Sequence, residues 1–375
     1  MRRLTVVQLL PALDAGGVER STLEIADALV RDGHRAIVVS NGGRMLPQLQ
    51  AIGGEHITLD IGRKSLLTFR HVPALRRLFA EVDADIVHAR SRLPARLGWH
   101  ALQGMRGQGV QGRGPQFMTT AHGLNSPSRY SAIMARGERV ICVSNVVREH
   151  LLQHYPGTDP GRLRVIPRGI DPVQFPRSPA PDRGARARIA AQHPQLGGDG
   201  PLLLLPGRGT RLKGHADALA LLAELRAGGI DARLWMPGAL DAQRAAYVGE
   251  LQAQARAAGV ADVLALTAPT DAIADAYAAS NLVLQLSRKP EAFGRTVIEA
   301  LAIGRPVLGW AHGGVGELLA ELQPEGMVAP FDMTMLAQRA HALLAHPPPP
   351  AATMPYTLQA MQQATLDVYL ELGER

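Results

Sequence analysis

Short apolar runs recur along the chain, each followed by a stretch whose apolar positions return at helical spacing. The runs at residues 5–10, 36–40, 85–89, 116–120, 139–144 and 163–167 read as buried strands, and strands alternating with helices imply a parallel sheet built of βαβ units. The rhythm restarts at 202–205 and continues at 232–236, 262–266, 282–286 and 306–310, which predicts a second sheet. Between the two series lies Gly169-Ile170-Asp171-Pro172, followed by Arg- and Ala-rich, proline-bearing sequence to about Gly200. The expected division is therefore 1–171 and 172–356, two Rossmann-like, doubly wound α/β domains. His346-Pro347-Pro348-Pro349-Pro350 reads as a stiff extended link. Beyond it, residues 357–375 return to helical spacing and are expected to pack back on the first domain.

At 375 residues and 46% hydrophobic content the chain can bury two separate cores. No run of about 18 apolar residues predicts a spanning helix, and the start reads as a first strand rather than a signal peptide. Cys142, the single cysteine, sits in an apolar run and is expected in the core. One cysteine suits a reducing cytoplasm. Residues 1–171 hold 23 Lys+Arg against 14 Asp+Glu, and the remainder 17 against 19. The basic front half favours an anionic partner. Aromatic residues are only 4% of the chain and no nucleic-acid motif appears, so an anionic membrane surface is the better expectation than nucleic acid.

Candidate chemistry concentrates after the strands. Glu291-Ala292-Phe293-Gly294-Arg295-Thr296-Val297-Ile298-Glu299 follows the run 282–286 and puts two carboxylates around a glycine that opens a helix. Free N–H groups at a helix start attract an anion, and a glycine there permits close approach, so a diphosphate fits with hydroxyl-accepting carboxylates to either side. After the run 202–205, Pro206-Gly207-Arg208-Gly209-Thr210-Arg211-Leu212-Lys213-Gly214 places Arg208 and Lys213 on a glycine-bearing loop where they could neutralise a leaving diphosphate. It is not a Walker A loop, which disfavours ATP hydrolysis. In the first domain Gly16-Gly17 opens a helix without the Gly-x-Gly-x-x-Gly pattern, which weakens a nicotinamide dehydrogenase. His122, before Gly123, is expected at the carboxyl end of a strand, His88 within one as a core or cleft-wall residue, and His312 in a further loop. Residues 63–80 interleave apolar positions with five cations, as either an interfacial helix on anionic lipid or a surface helix packed on the sheet.

These motifs together, with Asp85-Ile86-Val87-His88, Val143-Ser144-Asn145, Arg168-Gly169-Ile170-Asp171 and Gly304-Arg305-Pro306, resemble the retaining GT-B glycosyltransferases of the group 1 / family 4 type. That group includes bacterial mannosyl- and glucosyltransferases of envelope glycans and sucrose synthase. The resemblance covers nearly the whole chain. It implies two facing domains with the ligand in the cleft. Arg208 and Lys213 would bind the donor diphosphate, Glu299 the ribose, and Glu291 with Phe293, Gly294, Arg295 and Thr296 the transferred sugar and phosphates. Gly16, Gly17 and His122 would line the acceptor side. It further implies no enzyme nucleophile and no metal or other cofactor, and no Asp-x-Asp metal motif is read in the sequence. Arg295 departs from the aliphatic residue many members carry, and Arg168 from their asparagine. The partners implied are a nucleotide sugar and a glycan or glycolipid acceptor such as lipopolysaccharide core, at the inner face of the cytoplasmic membrane. A GT-B-fold epimerase or phosphorylase, and a non-catalytic nucleotide-sugar-binding protein, stay as alternatives. None of Lys64, Lys213 and Lys289, the chain's three lysines, forms an evident pyridoxal-phosphate site.

Overall fold

Strand residues that are apolar on both faces make sheets that must be covered on both sides, and both sheets of this chain are wholly parallel. The computed structural model describes residues 2–14, 16–105, 114–350 and 353–374. The first sheet contains β1 Thr5–Leu9, β2 Arg35–Ser40, β3 Glu55–Thr58, β4 Ile86–Ala89, β5 Gln116–Ala121, β6 Arg139–Cys142 and β7 Leu163–Val165, in the order β3-β2-β1-β4-β5-β6-β7. The second contains β8 Leu202–Leu204, β9 Arg233–Pro237, β10 Leu264–Thr267, β11 Leu282–Gln285, β12 Val307–Trp310 and β13 Met327–Val328, in the order β10-β9-β8-β11-β12-β13. β3 and β13 are absent from the sequence reading. Both are edge strands: Glu55-His56-Ile57-Thr58 is polar at three of four positions and exposed at both ends, and β13 has two residues, so neither makes an apolar run.

Alternation sorts the first sheet's side chains. Val6, Val38, Ile86, Met118 and Ile141 enter one core, and Val7, Ile37, Val87 and Phe117 the other. The C-terminal helix Leu358–Gly373 covers the first of these faces with Met361, Leu366, Val368, Tyr369 and Leu372. It is also tied by polar contacts. His88 is fully buried with Nδ1 2.6 Å from the Tyr369 hydroxyl and Nε2 2.7 Å from Thr120 Oγ1, and Arg139 pairs with Glu371. The two compact units are accordingly Met1–Pro167 with Leu358–Arg375, and Arg168–Thr357. The Arg168–Asp171 turn thus goes with the second unit, where Ile170 bridges to Thr357 and its N–H donates to the Tyr356 carbonyl.

The segment 63–80 does not form one helix. Leu66–His71 is a 3-10 turn and Val72–Glu81 an α-helix started by Pro73, whose Leu75 and Phe79 are buried in the core. The helix's apolar stripe is therefore packing surface. An Asp-x-Asp spacing does occur at Asp83-Ala84-Asp85. It stands at the amino end of β4, where Asp85 pairs with Arg2 and accepts the Thr5 N–H at 2.7 Å, so it is part of the sheet's framework. Cys142 is fully buried, and burial pushes its thiol up to about 12.

Candidate functional site

In a doubly wound sheet the chain leaves two central neighbouring strands in opposite directions, and the crevice beyond their carboxyl ends receives ligand. In the second unit that point lies between β8 and β11, which pair directly. The loops leaving them are 205–214 and 286–294, so the topology itself brings Lys213 to Glu291. The Lys213 Nζ donates to Glu291 Oε1 at 2.5 Å. Ser287 Oγ donates to the same oxygen and Gln285 Nε2 to the other at 3.1 Å. Both partners are partly exposed, with 29% and 25% of the lysine and glutamate side chains accessible, so the pair is open to a ligand.

The two loops are fastened to each other. The Arg288 N–H donates to the Leu212 carbonyl at 2.8 Å, and Arg288 Nη1 pairs with Asp217 Oδ1 at 2.6 Å in the first turn of helix His215–Ala227. Gly214, at φ +75°, lies where a side chain would overlap the Leu286 carbonyl oxygen. His215 is fully buried, with Nδ1 3.3 Å from the Thr210 carbonyl, and desolvation lowers its pKa to about 4. An unfolded histidine titrates near 6.5. Both states are neutral above that value; as pH falls from 6.5 toward 4 only the unfolded chain takes up the proton, so folding loses stability across that window. A thermal-melt series from pH 7 to pH 4 should show this loss reduced in His215→Asn, and an unchanged slope in the variant would remove the assignment.

Gly294 caps helix Arg295–Ile303 at φ +117°, and Gly304 ends it at φ +98°. Phe293 is buried edge-on to Tyr356, ring centres 5.8 Å apart. Glu299, 8% exposed, accepts from the Tyr277 hydroxyl at 2.9 Å and has Arg295 Nε 3.4 Å from its other oxygen. Burial, then the neighbouring Glu299 carboxylate, raises the Tyr277 pKa well above its ordinary value. Arg295 Nη2 also donates to the Gly169 carbonyl at 3.2 Å. The guanidinium expected to reach a donor thus contacts Glu299 and the 168–171 turn. Thr296 is half-buried in the same first turn. Arg208 shares the Lys213 loop but stands exposed on it, and His312 Nε2 lies 2.8 Å from the Ser287 carbonyl.

Gly16, Gly17 and His122 belong to the other unit. Gly16 caps helix Gly17–Arg31 after β1, and His122 follows β5, half-buried. All three lie at the carboxyl edge of the first sheet. Its switch point between β1 and β4 holds Arg90, which sequence reasoning missed. Arg90 is 2% exposed, donates to Gln8 Oε1 at 2.7 Å and Ser21 Oγ at 2.5 Å, and is lowered by burial to about 10. Gln285, Ser287, Asp217 and Tyr277 were also missed. The signal for the first two was present, as polar residues closing an otherwise apolar strand run.

Comparison with known proteins gives matches over both units. Residues 15–174 match the family model described as Glycosyltransferase Family 4, and 188–357 that of Glycosyl transferases group 1. A D-inositol 3-phosphate glycosyltransferase of Nocardiopsis dassonvillei is 31% identical over 221 residues, covering 57% of this chain and 49% of the relative. This chain spans about half the length of that relative. A glycosyltransferase crystal structure from Rickettsia africae superposes with TM-score 0.86 at 25% identity, covering 99% of each chain. HepE of Anabaena, solved in complex with UDP and glucose, gives TM-score 0.81 at 19% identity, covering 98% of this chain and 100% of that one.

Proposed function

Because this chain belongs to the glycosyltransferases of family 4 and group 1, with the GT-B fold, we propose that it moves a sugar from a nucleoside-diphosphate donor, with retention, to an envelope glycan or lipid-linked acceptor, lipopolysaccharide core among them. The observation that carries this reading is the Lys213–Glu291 contact at the β8–β11 switch point, 2.5 Å long and open to solvent. A bound diphosphate offers Lys213 a stronger partner than one carboxylate and uses the N–H groups after Gly294. Glu291, released from the lysine but still held by Ser287 and Gln285, then accepts from a sugar hydroxyl. Glu299, oriented by Tyr277, accepts from the ribose.

In the transfer step the bond between the anomeric carbon and the leaving phosphate oxygen breaks, and the acceptor oxygen bonds to the same face of that carbon. The acceptor proton passes to the departing diphosphate. Charge grows on the diphosphate and on an oxocarbenium-like ring, so fixed cations and a helix N-terminus lower the barrier without a protein nucleophile or a metal. Gly16, Gly17 and His122 supply the acceptor side, and the reaction runs at the inner face of the cytoplasmic membrane. HepE's UDP complex supports a nucleotide donor of this kind.

Incubation with UDP- and GDP-sugars plus glycan acceptors should release UDP or GDP only when both substrates are present, and NMR of the product should show the donor's anomeric configuration retained. Donor binding without release across the acceptor panel would instead favour a non-catalytic binder, and inversion would remove the mechanism.

A further inference from the structure

Two arginines one helical turn apart share a single aromatic ring in the first unit. Helix Arg92–Gln103 leaves the carboxyl end of β4, and the guanidinium carbons of Arg92 and Arg96 lie 5.3 and 5.2 Å from the centre of the Tyr130 ring. Tyr130 belongs to the segment that runs on from His122 after β5, and it is 37% exposed. The arrangement is built rather than incidental. Arg92 Nη1 donates to Ser131 Oγ at 3.1 Å and Arg96 Nη2 to the Arg129 carbonyl at 2.9 Å. Ser131, 1% exposed, in turn donates to the Ser126 carbonyl at 3.0 Å, and its N–H donates to Ser128 Oγ at 3.1 Å.

No carboxylate answers this charge. Elsewhere in the first unit arginines pair with acids, as Arg35 does with Glu55 and Arg139 with Glu371. Among the described residues neither Arg92 nor Arg96 has an ion pair, and Arg96 Nε is buried with no acceptor. Arg90, two positions ahead of Arg92, donates to neutral partners, Gln8 and Ser21. Like charges at i and i+4 repel, and Arg92 stands at the first position of its helix, where the backbone dipole is already positive. The negative face of the tyrosine ring offsets part of this cost and gathers the two guanidiniums. A bound anion removes the rest.

We propose that Arg92 and Arg96 bind an anionic substituent, phosphate or carboxylate, on the acceptor sugar, so that the enzyme glycosylates a charged saccharide and discriminates against its neutral counterpart. A guanidinium fork grips two oxygens of either group. The cluster shares the carboxyl edge of the first sheet with Gly16, Gly17 and His122, where a doubly wound sheet receives ligand. Both arginines are half-buried and tied to one loop, which suits a discrete group on a small ligand more than an extended charged surface. The acceptor half of this proposal rests on the glycosyl-transfer reading; the anion site does not.

Inorganic phosphate is the first probe, added to the full chain with UDP and GDP present to fill the donor site. It should raise the wild-type Tm. Arg92→Gln/Arg96→Gln should lose at least half of that rise while melting within about 4 °C of wild type in phosphate-free buffer, and Arg92→Lys/Arg96→Lys, which keeps the charge, should recover part of it. No wild-type rise, or a full rise in the glutamine variant, overturns the site; a glutamine variant melting far below wild type without phosphate makes the arginines structural and overturns it as well. Turnover is then read on matched phosphorylated, uronate and neutral sugars. KM for the charged acceptor should rise about tenfold or more in the glutamine variant with donor KM unchanged, and the charged form that responds identifies the group. Equal KM values for charged and neutral acceptors with the wild type would overturn the acceptor assignment. A phosphate-dependent rise that needs the arginines, without transfer to any acceptor, sinks the glycosyl-transfer reading alone.

Discussion

Lys213→Ala should lower kcat about a hundredfold, the effect typical of removing one preorganised donor to a developing anion, with a much smaller change in donor affinity. The expectation comes from what the lysine touches. In the resting site its Nζ is 2.5 Å from Glu291, and its side chain is 29% accessible, so its charge is available but already held at the switch point. Its loss leaves Glu291 with Ser287 and Gln285, which keep the carboxylate in place. The variant therefore removes a charge without dismantling the loop, and the loss falls on the step in which the diphosphate departs. Lys213→Arg should restore part of the rate, because the charge returns with a longer, planar head. Arg208→Ala should cost less, since Arg208 stands exposed on the loop and a solvated charge is screened. Pre-steady-state turnover with saturating donor checks this directly. A kcat for Lys213→Ala within threefold of wild type, where a tenfold change is about 1.4 kcal/mol of barrier, would remove the diphosphate assignment.

The parts of this site that the sequence made legible are those whose chemistry is local. An apolar run followed by a glycine and a helical period announces strand, loop and helix, and each of Lys213, Glu291, Gly294 and Glu299 follows from such a run. The parallel order then does the assembly: once β8 and β11 are neighbours, their loops must meet. Side chains whose role depends on a partner far along the chain were not legible. Asp217 is one position in a helix until Arg288, 71 residues later, reaches it. Tyr277 reads as an ordinary apolar position until its hydroxyl meets Glu299. Arg295 was legible only in part: its place next to Gly294 suggests a ligand contact, while its contacts to Glu299 and to the distant Gly169 carbonyl appear only in the fold. The segment 63–80 stayed open between two readings for a related reason: a cation-rich amphipathic period fits lipid and sheet equally well, and only the burial of Leu75 and Phe79 shows that the helix packs on the sheet.

Gly214→Ala should destabilise the second unit by about 3 kcal/mol or more, because two costs add. A side chain at φ +75° pays about 1–2 kcal/mol for the left-handed conformation. The new Cβ must also overlap the Leu286 carbonyl oxygen, and that oxygen belongs to backbone, which yields only by moving the loop that carries Ser287 and Glu291. For a unit of this size about 3 kcal/mol corresponds to roughly 6–12 °C in Tm. Gly229→Ala provides the comparison, since Gly229 has φ +84° with nothing within 4 Å of the added carbon; it pays the conformational cost alone and should lose about half as much or less. The difference between the two variants isolates the contact between the loops. Turnover should then fall further for Gly214→Ala than its folded fraction accounts for, because about 1 Å of displacement between charge and reacting group can cost about a hundredfold. Equal melting temperatures for the two variants would mean that the loops separate without resistance, and the close approach of Lys213 to Glu291 would then be a resting contact that the fold does not enforce.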